Sequence, residues 1–228
     1  TRLYRCRYAS EFLQWLSHQC SIELKSLTFG DLSSYITLRS ADVSLQTTAS
    51  IAYSLNSFLR FLSMQGSCSL NVTLCVPHPK LLYSFPSKQY LSTKEISRLL
   101  YSVDRDYPAG KRDFAIMRCL IDLGLRTSEV AGLKMRDINW RNDTLTLSCV
   151  KLRRQRKLPV PEGLKLALVD YITHARPETQ APFIFVYHRA PLGQPVKVST
   201  IRGVARRAFT RAGFPSSQSQ VHRLRYSM

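Results

Sequence analysis

The chain has 228 residues, of which 44% are hydrophobic, and its 33 Lys and Arg against 15 Asp and Glu give a net charge of +18 at pH 7. No uninterrupted apolar run approaches the ~20 residues that a membrane helix needs, so a membrane partner is not expected. Such an excess of positive charge repels itself unless a polyanion neutralises it, and nucleic acid is therefore the expected partner.

The positive charge is concentrated in the second part of the chain. Residues 1–88 hold eight Lys and Arg and four Asp and Glu, a net charge of +4, whereas residues 89–228 hold twenty-five and eleven, a net charge of +14. We therefore expect the tightest phosphate contacts in the second part.

The six cysteines argue against a zinc site. None of them forms a C-x-x-C pair, so we expect no zinc site. The candidate functional residues described below are accompanied by no metal cage or Gly-rich phosphate loop, so no cofactor is expected. Cys119 and Cys149 lie in apolar runs and are interpreted as small core residues, reduced thiols of a cytosolic protein.

Residues 1–76 are predicted to form a small helical domain. Apolar residues in "ASEFLQWLSH" (9–18) share one helical face, and Thr28 is a candidate N-cap of a short second helix. The stretch "SLQTTASIAYSLNSFLRFLSMQG" (44–66) has the clearest helical periodicity, with Gly66 as its end. Residues 77–90, with three prolines and no period, are predicted to be a linker.

Residues 91–228 are predicted to form a second domain, in which a small sheet interrupts the helices. Ser92 or Thr93 caps its first helix, with Glu95 placed for a capping box. Helices follow in "KRDFAIMRCLIDLGL" and from "RTSEVAGLKMRDI". The period then changes to two in "TLTLSCV", after an Asn142-Asp143 turn signal, which predicts a β-hairpin or a three-stranded meander with a basic tip.

The rest of this domain is predicted to be a helix, a buried strand and a cationic helix. The helix lies in "GLKLALVDYIT" and the short strand in "PFIFVY". The stretch "STIRGVARRAFTRAG" (199–213) is a helix with Ser199 or Thr200 as its cap and a face rich in arginine. The whole chain is thus mainly α with a small β-sheet.

Three separated motifs of the second domain combine arginines, a lysine and a histidine. Arg126 follows a glycine break between two helices with Glu129 three residues on, Lys151 ends the alternating strand, and "HRLR" holds His222 and Arg225. Taken singly, the first has a plainer interpretation as a surface ion pair and the second as a loop that attracts phosphates, and a lone His-x-x-Arg is weak evidence for any function. Together they suit a phosphodiester whose oxygens gain charge in a transition state, because arginines can grip those oxygens while Lys and His exchange protons.

These motifs resemble those of the tyrosine recombinase family, the phage-integrase type. "GLRTSEVAGLKMRDI" looks like the family's first-arginine motif, "VKLRRQRKLPV" like its hairpin lysine followed by a proline, and "HRLR" like its His-x-Leu-Arg box. The family has a glycine after the lysine, where this chain has Leu152; the distance to Pro159 favours Lys151 over Lys157. The resemblance implies that Arg126, Lys151, His222 and Arg225 are catalytic and that Glu129 supports them.

The resemblance also implies a fold and an activity. The fold is a helical, SAM-like core-binding domain followed by an α+β catalytic domain. The activity is cutting and rejoining of double-stranded DNA at a specific site, through a 3′-phosphotyrosine intermediate, by protomers that assemble as dimers or tetramers in the bacterial cytoplasm, on the nucleoid. From the basic hairpin and the cationic helix we expect these further DNA contacts: Arg153, Arg154, Arg156, Lys157, Arg202, Arg206, Arg207 and Arg211.

The nucleophilic tyrosine is expected to be absent from these 228 residues. In the family it follows the His-x-Leu-Arg box after further helices, and Tyr226 stands where the family usually has a histidine. A direct neighbour of a phosphate-gripping arginine is also poorly placed to attack from the side opposite the leaving oxygen. Two alternatives stay open: a non-catalytic DNA-binding regulator descended from a recombinase, and an enzyme like the type IB topoisomerases.

Overall fold

The computed structural model describes residues 2–19, 24–69, 71, 76–77, 79, 90–149, 154–216 and 221–225. The chain divides into two compact units, Thr1–Ser84 and Phe85–Met228. The predicted linker, residues 77–90, lies almost wholly outside the described residues, so the domain boundaries stay a prediction. None of the described helices is both long and apolar enough to cross a membrane.

The described part of the first unit contains the helices α1 (Arg2–His18), α2 (Phe29–Ser40) and α3 (Leu45–Met64). The predicted cap of α2 is confirmed, because the Thr28 hydroxyl accepts a hydrogen bond from the Asp31 amide while the Asp31 carboxylate accepts one from the Thr28 amide. Apolar side chains of all three helices form one core, which includes Phe12, Leu32, Tyr35, Ile51, Leu55 and Leu59.

The second unit contains α4 (Thr93–Tyr101), α5 (Pro108–Asp122), α6 (Thr127–Ala131), α7 (Glu162–His174) and α8 (Val198–Arg211). The central element is α5, whose Ala115, Ile116 and Met117 are fully buried and which packs against α4, α6, α7 and α8. The predicted capping box of α4 is confirmed by the reciprocal bonds of Ser92 and Glu95.

A three-stranded antiparallel sheet follows α6, in the order β1 (Ile138–Asn139), β2 (Thr144–Cys149) and β3 (Arg154–Pro159). Asp143 has a φ of +47°, so the β1–β2 turn falls where the sequence predicts it. Leu145 and Leu147 on β2 are buried and stand opposite Leu158 and Arg156 on β3. Because cross-strand partners share a face of the sheet, Arg156 stands on the face turned to the core.

Two local predictions for this unit are wrong. "PFIFVY" is buried at Ile184, Phe185 and Val186, but its backbone makes only isolated bridges at Phe183 and Val186 and forms no strand. The cationic helix instead has Lys197 as its N-cap residue, two residues before Ser199, without a side-chain capping bond. The Thr200 hydroxyl pairs with Tyr187, whose oxygen also accepts a hydrogen bond from the Lys197 amide.

Candidate functional site

Arg126 is held at a sharp reversal of the chain between two helices. Helix α5 ends at Asp122, Gly124 takes a φ of +55°, and Arg126 is the N-cap of α6. A positive φ is the conformation that glycine adopts without steric cost, so the glycine permits the reversal. Leu123 and Leu125 are buried on either side, which fixes the backbone while the Arg126 side chain stays 58% exposed.

The Glu129 carboxylate fixes both the backbone and the side chain of Arg126. One oxygen accepts a hydrogen bond from the Arg126 amide at 2.7 Å, and the other accepts one from Nη1 at 2.9 Å. Burial favours the neutral form of Glu129, but these bonds and the charges of Arg126 and Arg156 outweigh it and hold the pKa of Glu129 below its ordinary value. Glu129, the predicted supporting residue, is therefore an anion that holds Arg126 in place.

His222 and Arg225 lie on one short 3₁₀ helix, Val221–Arg225. Leu224 of this helix is fully buried in the core of the second unit, with Val221 packed against the same core, and the helix contacts α5 and α8. Residues three apart in a 3₁₀ helix lie one above the other, so the buried leucine turns His222 and Arg225 to a common side.

These residues meet in a cleft of about 720 Å³ within the second unit. Its lining combines three parts of the chain: the start of α6, the first half of α8 and the 3₁₀ helix. The lining residues are Arg126, Thr127, Ser128, Ser199, Arg202, Gly203, Arg206, Val221, His222 and Arg225. Four arginines and one histidine thus face a cleft that, among the described residues, no carboxylate lines, which is the electrostatic character of a phosphate site.

The arginines of α8 do not all face this cleft. Arg202 and Arg206 are exposed and line it, and neither has an ion-pair partner among the described residues. Arg207, the next residue, instead donates to the Asp113 carboxylate of α5 at 3.1 Å. Arg211 is exposed near the other end of the helix and does not line the cleft.

The basic hairpin is only partly described. Lys151 and Arg153, together with Tyr226 near the end of the chain, lie outside the described residues, as does the side chain of Arg154. Lys157 is exposed, and its strand position opposite Thr146 places it on the other face of the sheet from Arg156. Arg156 comes within 3.7 Å of the Glu129 carboxylate.

Sequence reasoning missed three residues with hydroxyl groups among those that line the cleft, Thr127, Ser128 and Ser199. Each can donate to a phosphate oxygen. The pattern predicts Ser199 only as a helix cap, and the adjacency of Thr127 and Ser128 to Arg126 was the signal for the other two. No group of three or more His, Cys, Asp or Glu within the described ranges is placed to hold a metal ion.

The chain matches the model of the phage integrase family over residues 89–228. It belongs to this family. It is 29% identical over 220 residues to the putative integrase/recombinase y4rA of Sinorhizobium fredii, covering 96% of this chain and 53% of that protein. It is also 29% identical over 150 residues to the tyrosine recombinase XerD of Listeria monocytogenes, covering 64% and 50% respectively. The chain thus spans about half the length of these curated relatives.

Solved structures of integrases share this fold. One is the integrase of the transposon Tn1549 in complex with transposon right-end DNA, with a TM-score of 0.75, 18% identity and coverage of 100% of this chain and 78% of that chain. Another is a lambda integrase dimer bound to a COC′ core site, with a TM-score of 0.72, 14% identity and coverage of 97% and 76%. The predicted integrase family and the predicted fold, mainly α with a small sheet, are confirmed.

Proposed function

We propose that the protein to which this chain belongs is a site-specific DNA recombinase that cuts and rejoins strands of double-stranded DNA. The observation that carries the proposal is the cleft that collects Arg126, His222 and Arg225 beside Arg202 and Arg206. A phosphodiester gains negative charge on its non-bridging oxygens during attack, and planar guanidinium groups can bind those oxygens in pairs. Membership of the integrase family supports the same reaction.

The proposed reaction is an in-line displacement at phosphorus. A tyrosine oxygen, supplied by the whole protein, forms a bond to phosphorus as the bond from phosphorus to the 5′ oxygen breaks. The phenol proton passes to a base, for which His222 is the candidate, and the departing 5′ oxygen takes a proton from Lys151. The DNA is left joined by a 3′-phosphotyrosine, and the reverse steps with another 5′ hydroxyl reseal the strand.

Each residue of the site has a separate part in this proposal. Arg126 and Arg225 bind the oxygens of the attacked phosphate, and Glu129 keeps Arg126 oriented. Arg202 and Arg206 bind neighbouring backbone phosphates, to which Arg153, Arg154, Lys157 and Arg211 add contacts. Assembly into dimers or tetramers on the DNA and a nucleoid-associated cytoplasmic location belong to the same proposal, and the lambda integrase dimer on its core site is consistent with the first.

The proposal is tested by trapping the covalent intermediate. Selection from random duplexes would first give the bound sequence. A nicked version of that duplex, incubated with the protein in the form that its reading frame encodes, should then yield a protein–DNA adduct that survives denaturation and is removed by protease.

Two substitutions complete this test. Arg126→Ala or Arg225→Ala should slow adduct formation by roughly 10²–10³ while the fold is retained, because each removes a donor from the transition state. A bound duplex that yields no adduct with the unsubstituted protein would refute the recombinase and favour the non-catalytic regulator. An adduct that relaxes supercoils but never joins two duplexes would favour the topoisomerase.

A further inference from the structure

Arg126 and Arg156 share one carboxylate, although they come from different elements of the second unit. Glu129 Oε1 accepts from Arg126 Nη1 at 2.9 Å, and Glu129 Oε2 lies 3.7 Å from Arg156 Nη2. The Glu129 side chain is 22% exposed, against 58% for Arg126 and 48% for Arg156. The acid is therefore the better shielded member, with a cation on each side.

The sheet places Arg156 for this contact. It stands opposite Leu147, which is 9% exposed, so its side chain leaves the strand on the face turned to the core and to α6. Its neighbour Lys157 stands opposite Thr146 and leaves on the other face. The two adjacent cations of β3 are therefore not equivalent, and only Arg156 reaches Glu129.

The charge balance of this cluster bears on phosphate binding. An isolated pair of Arg126 and Glu129 would be neutral overall and would attract an anion weakly. With Arg156 the three groups carry a net charge of +1, so Glu129 can fix the geometry of Arg126 without cancelling its attraction for a phosphate. Glu129 engages only Nη1 of the Arg126 guanidinium, so its other donors stay available to an anion in the cleft that Arg126 lines.

We propose that Arg156 is a positioning residue of the cleft, which shares Glu129 with Arg126, so that the first arginine is fixed in place while the group as a whole keeps a positive charge for a DNA phosphate. The inference rests on the proposed function, because it assigns Arg156 to the phosphate site of that reaction. It separates Arg156 from the other basic residues of the hairpin, which would meet the DNA backbone directly.

The test is a double-substitution cycle on DNA affinity, measured with the 228-residue chain and any duplex of about 30 base pairs in low salt. Arg126→Gln, Arg156→Gln and the double variant are compared with the unsubstituted chain. Residues that act through a common partner have effects that do not add. The factor by which Arg156→Gln lowers the DNA affinity should therefore change by about threefold or more in a chain that already carries Arg126→Gln. Arg156→Lys keeps the charge and should restore most of the affinity.

Lys157→Gln provides the matched control, because it removes the same charge from the next residue of the strand. It should weaken binding by itself, but its loss should be the same, within about twofold, with or without Arg126. Thermal unfolding of every variant shows that the fold is kept. In the Glu129→Gln background, the coupling between Arg126 and Arg156 should disappear.

The outcomes separate the two proposals. If Arg126→Gln leaves the affinity unchanged, the cleft is not the phosphate site, and both the proposed function and this inference fail. If Arg126→Gln weakens binding, but the effect of Arg156→Gln on affinity is the same with and without it, as for Lys157→Gln, the cleft remains the phosphate site and the role of Arg156 is refuted. Coupling that persists without Glu129 would also overturn the inference, because the two arginines would then act by another route.

Discussion

Neighbouring arginines of one helix differ in what they can offer to DNA. Arg206 lines the cleft, whereas Arg207 crosses over Gly203 and donates to Asp113, which also accepts two hydrogen bonds from the buried Arg112. One residue along a helix turns a side chain by ~100°, so the two cations face different surroundings. At the residue scale, the partner of an arginine decides its role more than its place in a basic run.

This contrast predicts different salt dependences for two adjacent substitutions. Arg206→Gln should lower the slope of log affinity against log salt by about 1, because one phosphate contact is lost. Arg207→Gln should change that slope by less than half as much, because its guanidinium is held at Asp113 and does not line the cleft. Affinities of both variants from about 50 to 200 mM salt measure the slopes, and equal losses would show that Arg207 also binds a phosphate.

Gly110 is predicted to tolerate no side chain. It is buried in the first turn of α5, where a Cβ atom would overlap the backbone carbonyl oxygen of Asp104. A backbone atom is hard to displace, so Gly110→Ala should destabilise the second unit by about 1–3 kcal/mol. Gly30→Ala, in the first turn of α2, is the control, since its nearest atom would be 3.5 Å away. Calorimetric unfolding that ranked the two variants in the opposite order would contradict the packing argument.

At the scale of elements, the sequence predicts where a helix begins when the capping residue and its partner lie within the first turn. Glu95 accepts hydrogen bonds from the backbone and the hydroxyl of Ser92, and these lower its pKa. A group whose pKa is lower in the folded chain contributes stability above its unfolded pKa, near 4.5. That contribution is lost as the pH falls through the lower folded value.

Replacing this carboxylate by an amide isolates its charge. Glu95→Gln should reduce the free energy of unfolding by roughly 0.3–1 kcal/mol at pH 7, since an anion is favourable in the first turn of a helix. The difference should be smaller at pH 3 than at pH 7, because lowering the pH carries Glu95 towards its protonated form. Urea unfolding at both pH values measures it, and Lys94→Gln should show no such pH dependence. A deficit as large at pH 3 as at pH 7 would mean that shape rather than charge holds the cap.

Elements that depend on distant residues escape such prediction. The apolar run 183–187 has the composition of a buried strand, but it makes only isolated bridges to Lys134 and Pro195. Lys134 lies far away in the sequence, and Pro195 lies beyond a turn, so local periodicity does not show either partner. The sequence pattern misplaces the start of α8 for a similar reason, because the hydroxyl of Thr200, a predicted cap, pairs with the distant Tyr187 hydroxyl. The paired roles of Arg156 and Arg207 were hidden because their acids, Glu129 and Asp113, lie far off in the sequence.

The site itself was more predictable than its surroundings. Arg126, His222 and Arg225 were singled out by motifs, and the structure brings them to one cleft because a glycine reversal and a buried leucine orient them. The glycine and the leucine belong to the motifs themselves, so each motif also determines how its functional side chains are oriented. The hydroxyl groups of the cleft were not singled out, because serine and threonine beside a helix start are as often simple caps.

At the scale of the whole molecule, charge is distributed as the proposed chemistry requires. Residues 89–228 hold a net charge of +14 and the cleft, whereas residues 1–88 hold a net charge of +4. Long-range attraction to DNA follows this summed charge, while the cleft needs only a few of the cations. Most of the electrostatic free energy of DNA binding should therefore belong to the second unit.

The last prediction tests this division by removing the first unit. Residues 85–228 alone should keep more than half of the salt slope of the 228-residue chain on a duplex of about 30 base pairs, because each phosphate contact contributes about 0.9 to the slope. Their absolute affinity should be lower, since the contacts of the first unit are lost. Circular dichroism and a cooperative thermal transition would show that the shorter chain is folded. A folded fragment with less than half of the slope would mean that the first unit, despite its smaller charge, makes most of the phosphate contacts.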